Sequence, residues 1–220
     1  MTPNRKGYAK SDDTRRAILA AAAAEFGAHG YADATTRRIA AGAGVTLPAI
    51  AYHFGSKEGL YLACAEEIAR LYLAETATLA ADAEASLAGA PDHATCRLHI
   101  MRLLGKIAAL FAHADGAQAA FVSRALRDEG PAVAVLHERL WEPGVSLMAR
   151  LIAALAGAGE ATTRDRLDAL LLLSTLLAFY NGRDAAMRIV GWDQIGPAEA
   201  AAIEEALQRI VDGLAAARQG

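Results

Sequence analysis

The chain has 220 residues, a quarter of them alanine, with 54% hydrophobic and only 6% aromatic residues. This balance excludes a disordered chain, which needs low hydrophobicity and high charge, and argues against an all-β protein, because strands are rich in β-branched and aromatic residues and poor in alanine. A formal net charge of −3 argues, taken alone, against a nucleic-acid binder. Alanine is the best helix former, so the composition predicts an all-α globular fold.

A polar tail at residues 1–10 precedes the first predicted helix, which runs from about residue 12 to residue 28. Apolar residues recur every four positions and give this helix one buried face: Ile18, Ala22 and Phe26. Gly27 and Gly30 offer a place for the helix to end, because glycine accepts the conformations that terminate helices.

Three more helices are predicted in the first half of the chain, each preceded by a hydroxyl side chain that can cap it. Thr35 or Thr36 begins a short helix that reaches about residue 43, and Thr46 begins another that reaches about residue 54. Between them Gly44 makes a tight turn, and Ser56 begins a long helix to about residue 84. After a linker at residues 89–91, further helices are predicted at about 92–114, 117–128, 131–156, 162–190 and 197–217.

Two stretches invite a membrane or export interpretation. The longest apolar run, residues 169–180, is shorter than the 18–20 residues that cross a bilayer, so it predicts a buried helix. Arg15 and Arg16 followed by alanines resemble a short signal peptide, but acidic residues on both sides of this run favour an amphipathic helix.

The chain has two cysteines, Cys64 and Cys96, which are too few for a disulfide framework. This content favours a reducing, cytoplasmic location.

The charges are unevenly distributed along the chain. Residues 1–60 carry eight Lys and Arg against five acidic residues, a net charge of +3, and the remaining residues carry −6. A basic segment joined to an acidic body suggests two separate functions, one of them the binding of a polyanion.

The second and third helices, joined by the turn at residues 43–45, have the pattern of a helix-turn-helix, although a helical hairpin in an enzyme can show the same pattern. Arg37 and Arg38 lie in the first turn of the second helix and Lys57 begins the fourth, where a cation opposes the helix dipole. Either Asp33 or Glu58 neutralises these cations locally, or an arriving phosphate does so.

The third helix has an exposed face with few hydrogen-bonding groups. In steps of 100° per residue, Ile50 and Phe54 define its buried side and His53 lies at the edge. The residues that point away are Pro48, Ala49, Ala51 and Tyr52. Tyr52 can reach a base or a phosphate, and we expect Arg37 and DNA shape to supply much of the sequence readout. Alternatively, Tyr52 and His53 pack against the fourth helix.

These residues match a known family. Residues 16–62 resemble the DNA-binding domain of TetR-type bacterial regulators through the following segments: Ala24-Glu25-Phe26, Gly30-Tyr31, Thr35-Thr36-Arg37-Arg38-Ile39-Ala40, Ala43-Gly44-Val45 and Ile50-Ala51-Tyr52-His53-Phe54-Gly55-Ser56-Lys57-Glu58-Gly59-Leu60-Tyr61. Ala51 departs from the pattern, since the family usually carries an aromatic there. The resemblance and the exposed face of the third helix predict these DNA contacts: Thr35, Thr36, Arg37, Thr46, Leu47, Ala49, Tyr52, His53 and Lys57.

The resemblance implies an N-terminal three-helix bundle with a helix-turn-helix, joined by a long helix to a larger helical domain for ligand binding and dimerisation. The predicted domains are a flexible tail at 1–10, the DNA-binding domain at 11–57 and the second domain at 58–220. The stretch at 124–196 is similar to the CecR-type subgroup, which is implicated in responses to antibiotics and other small toxic compounds. A palindromic operator, a hydrophobic or antibiotic-like effector and release of the repressor by that effector are therefore implied.

Such regulators bind DNA as homodimers, because two recognition helices address two half-sites. The predicted dimer surface is formed by the helices at about 162–190 and 197–217. The apolar residues of the second one are Ile203, Leu207, Ile210 and Leu214, although both helices could instead be buried within one monomer.

A small-molecule pocket needs large apolar side chains with a few polar ones, and ordinary core packing is the alternative role for each candidate. The candidate lining residues are Leu103, Ile107, Phe111, Phe121, Arg124, Trp141, Met148, Phe179, Tyr180 and Asn181.

Three rival functions remain open: a metal-sensing regulator, a helical enzyme, and a helical adaptor that does not bind DNA. The chain has no His-Glu-x-x-His pattern, no nucleophile elbow and no phosphate-binding loop. His99 and His113 stand fourteen residues apart, which is too far along a helix to bind one ion. We therefore expect no catalytic residues, no metal site and no cofactor, and a cytoplasmic protein that associates with the nucleoid when it binds DNA.

Overall fold

The computed structural model describes residues 5–113, 116–181 and 183–216, with side chains described except at 5–10, 111–113, 177–181, 183, 184 and 215. The described chain is helical and contains no strand, which confirms the all-α prediction. Its elements are α1 (Arg5–Asp33), α2 (Thr36–Gly42), α3 (Leu47–Phe54), α4 (Lys57–Ala88), α5 (His93–His113), α6 (Gly116–Asp128), α7 (Ala132–Leu136), a π-helical turn (His137–Trp141), α8 (Glu142–Leu155), α9 (Thr163–Asn181), α10 (Arg183–Val190) and α11 (Pro197–Ala216).

The chain divides into two compact units that differ from the predicted domain division. Unit 1 comprises Met1–Leu71 with Ala114–Arg139, and unit 2 comprises Tyr72–His113 with Leu140–Gly220. The DNA-binding domain predicted at 11–57 is the N-terminal part of unit 1, which extends into α4 and also includes α6 and α7. The helix α4 contributes residues to both units.

The first helix is longer than predicted, because it begins at Arg5 inside the expected tail and ends at Asp33. Gly27 does not end it. A Cβ at Gly27 would lie 2.9 Å from both the Ala120 Cβ and the Phe121 backbone nitrogen of α6, so this glycine permits close contact between α1 and α6. Gly30 interrupts the helix with a φ of 77°, a backbone conformation that residues with a side chain rarely adopt.

The predicted caps of α2 and α4 are present. The Thr35 hydroxyl accepts a hydrogen bond from the Arg38 backbone N–H at 3.2 Å, and the Ser56 hydroxyl accepts one from Gly59 at 3.0 Å. Thr46 occupies the N-cap position of α3 but makes no side-chain capping hydrogen bond, and Pro48 fills the first turn where its missing N–H costs nothing.

Unit 1 is held together by an aromatic cluster that joins three helices. The ring centroids of Phe26 in α1 and Tyr61 in α4 lie 4.8 Å apart, and Phe121 of α6 lies 5.0 Å from Tyr61. All three side chains are almost fully buried. Such pairs add about 0.5–1.5 kcal/mol each beyond the burial of their area.

Unit 2 has a separate core formed by α5, α8, α9 and α11 with the C-terminal half of α4. Its fully buried residues include Ile100, Leu104 and Leu151. Arg97 on α5 reaches Asp212 on α11 at 2.6 Å, which ties the last helix to this core. Among the helices described, none is both long enough and apolar enough to cross a lipid bilayer.

The helix predicted at 131–156 is present as a continuous helical run from Ala132 to Leu155, in which a π-helical turn (His137–Trp141) lies between α7 and α8. Pro143 lies in the first turn of α8 and has no N–H to continue the α-helical hydrogen bonds of the preceding turn. The stretch predicted as one helix at 162–190 is occupied by α9 and α10, on either side of residue 182.

Candidate nucleic-acid interface

The turn between α2 and α3 is closed by backbone hydrogen bonds. Gly44 has a φ of 65°, and the Val45 N–H donates to the Ala40 carbonyl at 3.0 Å. Ile39, Ala40 and Ile50 are buried beneath the turn, as the sequence pattern predicts. The two helices therefore meet as a helix-turn-helix with one buried side and one side exposed to solvent.

The outward face of α3 carries an unusually exposed aromatic side chain. Tyr52 is 84% exposed, and its ring packs edge-on against His53 with centroids 5.1 Å apart. This exposure excludes the alternative that Tyr52 is buried against α4. Ala51, where the family usually has an aromatic residue, is also exposed. Tyr52 is therefore the large group that this face offers to a ligand.

The predicted DNA-contact residues lie on the surface of unit 1 in two exposure classes. Those that are exposed are Thr35, Arg37, Thr46, Leu47 and Tyr52. Those that are partly buried are Thr36, Ala49, His53 and Lys57. They all come from the start of α2, from α3 and its N-cap, and from the start of α4.

Arg38 is neutralised within the chain by a partner that the sequence did not identify. Its Nε atom lies 2.8 Å from a carboxylate oxygen of Glu25, and its Nη2 donates to the Asp33 backbone carbonyl at 2.8 Å. Neither the Asp33 nor the Glu58 carboxylate, the two predicted partners, is the acceptor in these contacts. Arg38 thus compensates for its position at the start of α2 by pairing with α1.

Lys57 also contacts protein groups. Its ammonium donates to the Ala32 carbonyl at 3.0 Å and lies 4.9 Å from the centroid of the Tyr31 ring. A carbonyl at a helix C-terminus and an aromatic face both attract a cation. Of the three cations expected to await a phosphate, Arg37 and Arg38 are exposed and Lys57 is partly buried, and Arg38 already pairs with Glu25.

Two residues that position this surface were missed by the sequence analysis. Glu25 accepts a hydrogen bond from the Thr35 backbone N–H at 3.2 Å as well as pairing with Arg38, so it fixes the start of α2 against α1. Arg15 places its guanidinium 5.4 Å from the centroid of the Phe54 ring at the end of α3. The Ala24-Glu25-Phe26 segment was a signal for Glu25, but its partners lie ten and thirteen residues away.

Comparison with known proteins decides the family. The model "Bacterial regulatory proteins, tetR family" matches residues 18–64, and the model "HTH-type transcriptional dual regulator CecR, C-terminal domain" matches residues 92–218. The HTH-type transcriptional dual regulator CecR of Shigella flexneri is 37% identical over 185 residues, which cover 83% of this chain and 82% of that protein. The chain belongs to the TetR family. It is a transcriptional regulator with a CecR-like C-terminal domain.

Two solved structures share the fold of this chain. A TetR-like regulator from Rhodococcus sp. RHA1 has a TM-score of 0.61 at 21% identity, with 92% of this chain and 96% of that chain covered. AibR, solved in complex with isovaleryl coenzyme A and operator DNA, has a TM-score of 0.61 at 18% identity, with the same two coverages. These likenesses support the fold of the regulator.

The predicted ligand-pocket residues of the regulator fall into different places. Leu103 and Met148 are buried in the core of unit 2, Ile107 packs against it, and Trp141 is partly buried in the same unit. Phe121 and Arg124 belong to unit 1, so the structure does not group them with the others. Four predicted residues lie outside the described side chains: Phe111, Phe179, Tyr180 and Asn181.

Arg124 borders a separate cavity of about 280 Å³ within unit 1. Its Nη2 donates to the His29 carbonyl at 3.1 Å, and its Nε lies 3.4 Å from the Asp128 carboxylate. The Nε atom is buried and makes no hydrogen bond. The remaining lining residues described are Gly30, Tyr31, Ala32, Asp33 and Gly130, together with His29 and Asp128.

The two helices predicted to form the dimer surface differ in what they expose. On α9, Leu167, Leu170 and Leu171 are exposed and share one side of the helix. On α11, Leu207 is buried in the core of unit 2, and only Ile210 of the predicted apolar residues is exposed. Ile203 and Leu214 pack against the same core. Most of the apolar face of α11 is thus used within one chain.

The described side chains contain no group of three His, Cys, Asp or Glu residues placed to hold a metal ion. Cys64 and Cys96 are both buried and free. Burial raises the pKa of the Cys64 thiol to about 12 and that of the Tyr61 phenol to about 12. Both groups are therefore neutral at physiological pH and belong to the core of the protein.

Proposed function

We propose that this regulator is a repressor that binds an inverted-repeat operator as a homodimer and is released by a small molecule. The observation that carries the DNA-binding part is the solvent-exposed face of α2 and α3, where Tyr52 and Arg37 stand free of the core. Tyr52 can donate or accept a hydrogen bond at a base edge or a phosphate, and Arg37 can bind guanine or a phosphate.

The proposed interface comprises all the predicted contacts, with Lys57 at a phosphate beside the start of α4. Arg37 and Tyr52 read bases, Thr35, Thr36 and Thr46 bind phosphates at the helix N-termini, and the remaining residues, Leu47, Ala49 and His53, contact the groove. The polarity of this face is low, so sequence-dependent DNA shape contributes to recognition.

Selection from a random-sequence DNA library tests the proposal. The purified chain should enrich an inverted repeat whose half-sites are separated by about one helical turn, or a multiple of it. Arg37→Ala should abolish the enrichment. Arg127→Ala, which removes an exposed arginine from the last turn of α6, should leave it intact. Failure of the wild-type chain to enrich any sequence would refute the proposal.

The salt dependence of binding gives a second test. If the dimer neutralises roughly 6–10 phosphates, its affinity for the selected duplex should fall ~10³–10⁵-fold between 50 and 200 mM salt. A salt-insensitive interaction would contradict binding to the DNA backbone.

A second copy of this chain is the proposed partner of the exposed apolar side of α9. Leu167, Leu170 and Leu171 are each more than half exposed, a cost in free energy that a partner surface would remove. A two-fold arrangement also supplies the two recognition helices that an inverted repeat requires. The second helix of the proposed interface is α11, which takes part through the exposed Ile210 and the small residues beside it.

The effector of the regulator is proposed to bind in unit 2, among residues of α5 and α8 that belong to its apolar core, with Leu103, Ile107 and Met148 as lining residues. The lining is apolar, which favours a hydrophobic, antibiotic-like compound. Effector binding would favour a conformer of the dimer in which the two recognition helices are wrongly spaced for the operator. The helix α4, which contributes residues to both units, would transmit this change. Adding a panel of amphipathic antibiotics to the complex with the selected duplex should release the DNA, and Leu103→Trp should prevent release by filling the site.

A further inference from the structure

The start of α2 lacks one half of the usual helix cap. In a capping box the N-cap side chain accepts a hydrogen bond from the N3 backbone N–H, and a Glu or Gln at N3 accepts one from the N-cap N–H. The first half is present, because the Thr35 hydroxyl accepts a hydrogen bond from the Arg38 N–H at 3.2 Å. The second half cannot form within α2, because the N3 residue is Arg38, whose side chain has no acceptor.

Glu25 of α1 supplies the missing acceptor. One oxygen of its carboxylate accepts a hydrogen bond from the Thr35 N–H at 3.2 Å, and the same oxygen lies 2.8 Å from the Arg38 Nε. The other oxygen lies 3.7 Å from the His29 Nε2. The Glu25 side chain is only 12% exposed, so these contacts are partly shielded from water. The cap of α2 is thus completed by a residue on the preceding helix.

The two residues that Glu25 contacts lie on either side of proposed DNA contacts. Thr36 and Arg37 stand between Thr35 and Arg38, and the Arg37 side chain is exposed. A side chain that holds both ends of this segment fixes the direction in which Arg37 leaves the protein surface.

The charge of Glu25 has the opposite effect on DNA binding. A carboxylate beside the proposed phosphate contacts repels the DNA backbone, so its removal should strengthen binding if charge alone matters. The sign of the change in affinity therefore distinguishes positioning from charge repulsion.

We propose that Glu25 is a positioning residue that increases operator affinity by capping α2 from α1, and that this effect exceeds the repulsion between its charge and the DNA. It acts through Thr35 and Arg38 and touches neither bases nor phosphates. The effect on affinity rests on the proposed function, whereas the capping role does not.

Alanine substitutions at two acidic residues have opposite expected effects on affinity. Glu25→Ala should weaken binding to the duplex selected by the wild-type chain about tenfold, the usual effect of losing hydrogen bonds to a charged group. The slope of log affinity against log salt should stay at its wild-type value, because no phosphate contact is lost. Asp33→Ala removes an exposed carboxylate two residues before Thr35 and is the matched control. It should bind with wild-type affinity or more tightly, and the same result for Glu25→Ala would overturn the proposal.

Hydrogen exchange of the DNA-free chain tests the cap without an operator. In Glu25→Ala the amides of Thr35 and Arg38 should exchange faster than in the wild-type chain, because the start of α2 frays when its cap is incomplete. Amides around Tyr61, in the aromatic cluster of the same unit, should be unchanged, which shows that unit 1 is folded. Asp33→Ala should exchange like the wild type. Unchanged exchange at the start of α2 in Glu25→Ala would overturn the capping role.

A second substitution tests whether the cap itself is responsible for the effect. Arg38→Gln places an acceptor for the Thr35 N–H at N3, as a capping box requires. Combined with Glu25→Ala, it leaves the net charge of the chain at its wild-type value. The double variant should bind the selected duplex more tightly than Glu25→Ala alone, although it has one cation fewer, and its Thr35 amide should again exchange slowly.

Binding by the double variant that is no tighter than binding by Glu25→Ala would overturn the role of the cap in operator affinity. If the wild-type chain selects no duplex, the proposed function fails, and exchange of the Thr35 amide still decides the capping role of Glu25.

Discussion

At the scale of single residues, the backbone conformation and the neighbouring side chains restrict the residue type at Gly30 to glycine. Its φ of 77° is costly for any residue with a side chain, and a Cβ would meet Arg124 and Asp128 at 2.8 Å. Gly42, at the end of α2, has an ordinary conformation, and a Cβ there would make a normal contact with Ala21 at 3.5 Å. Gly42 is therefore a matched control for the substitution of Gly30.

Gly30→Ala should lower the free energy of unfolding by about 1–3 kcal/mol, because the left-handed conformation and the contact with Arg124 both become unfavourable. Gly42→Ala should be neutral or slightly stabilising, since alanine is the better helix former. Urea unfolding of the two variants measures the difference. Equal stability of the two variants would show that the turn at Gly30 is not constrained.

Tyr52 allows a test in which stability and DNA binding separate. Because its side chain is 84% exposed, Tyr52→Ala should change the free energy of unfolding by less than about 0.5 kcal/mol. The same variant should weaken binding to the selected duplex about tenfold if the phenol contacts a base. Tyr52→Phe separates the hydroxyl from the ring. Unaltered affinity in both variants, measured by fluorescence anisotropy, would remove Tyr52 from the interface.

How far single residues could be predicted depended on the sequence distance of their partners. The cap by Thr35 and the inward positions of Ile39 and Ile50 follow from spacings within one or two turns, and the structure confirms them. The partners of Lys57 and Arg124 lie 25 and 95 residues away, and only the packing of α1, α4 and α6 brings them together. Local periodicity contains no information about such contacts.

At the scale of elements, the N-terminal half of α4 buries two ionisable groups in unit 1. Burial raises the pKa of Cys64 from 9.0 to about 12, and burial with the nearby Asp128 charge raises that of Tyr61 from 10.0 to about 12. Both groups stay protonated in the folded chain and lose their protons more easily in the unfolded chain. Their contribution to stability is therefore present below pH 9 and is lost as the pH rises toward 12.

The urea midpoint of the wild-type chain should fall between pH 8.5 and pH 11 for this reason, in a range set by the two pKa shifts. Cys64→Ala and Tyr61→Phe each remove one group, so each should show a smaller fall over the same range, whatever its stability at pH 8.5. A comparison of midpoints at the two pH values is sufficient. An equal fall in both variants and the wild type would show that these groups do not cause the alkaline loss.

The element boundaries were predictable where the sequence provides caps and glycines, as at α2, α3 and the start of α4. They failed at α1, where the helix continues N-terminally through residues that read as a polar tail. The helix at 131–156 was predicted, but the π-helical turn that precedes α8 was not. A proline in a first turn is compatible with a helix start, so its presence was no warning of the π-helical turn before it.

At the scale of the whole molecule, the exposed leucines of α9 predict self-association. Leu171→Glu places a charge in the proposed interface and should convert the dimer to a monomer, observable by light scattering after size exclusion. Leu98→Glu on α5 is a matched control, because the two leucines are 57% and 54% exposed. It should leave the dimer intact. A dimer in Leu171→Glu at micromolar concentration would place the interface elsewhere.

The division into two units could not be predicted from the sequence alone. The DNA-binding motif was recognisable because its residues are consecutive, but α6 and α7 join unit 1 from more than forty residues beyond Leu71. The close approach of α6 to α1 at Gly27 and the Phe121–Tyr61 contact create this association. Neither contact has a local sequence signal, since glycine and phenylalanine serve many roles in helical proteins.

The most direct test of operator recognition is a hydroxyl-radical footprint on the duplex selected from the library, with the number of chains per duplex measured on the same complex. Two chains should protect two half-sites related by a two-fold axis, with centres about 34 Å apart or at a multiple of that spacing. Tyr52→Ala and Arg37→Ala should weaken both half-sites equally. A single asymmetric protected region, or protection by one chain per duplex, would contradict a dimer that reads an inverted repeat through α2 and α3.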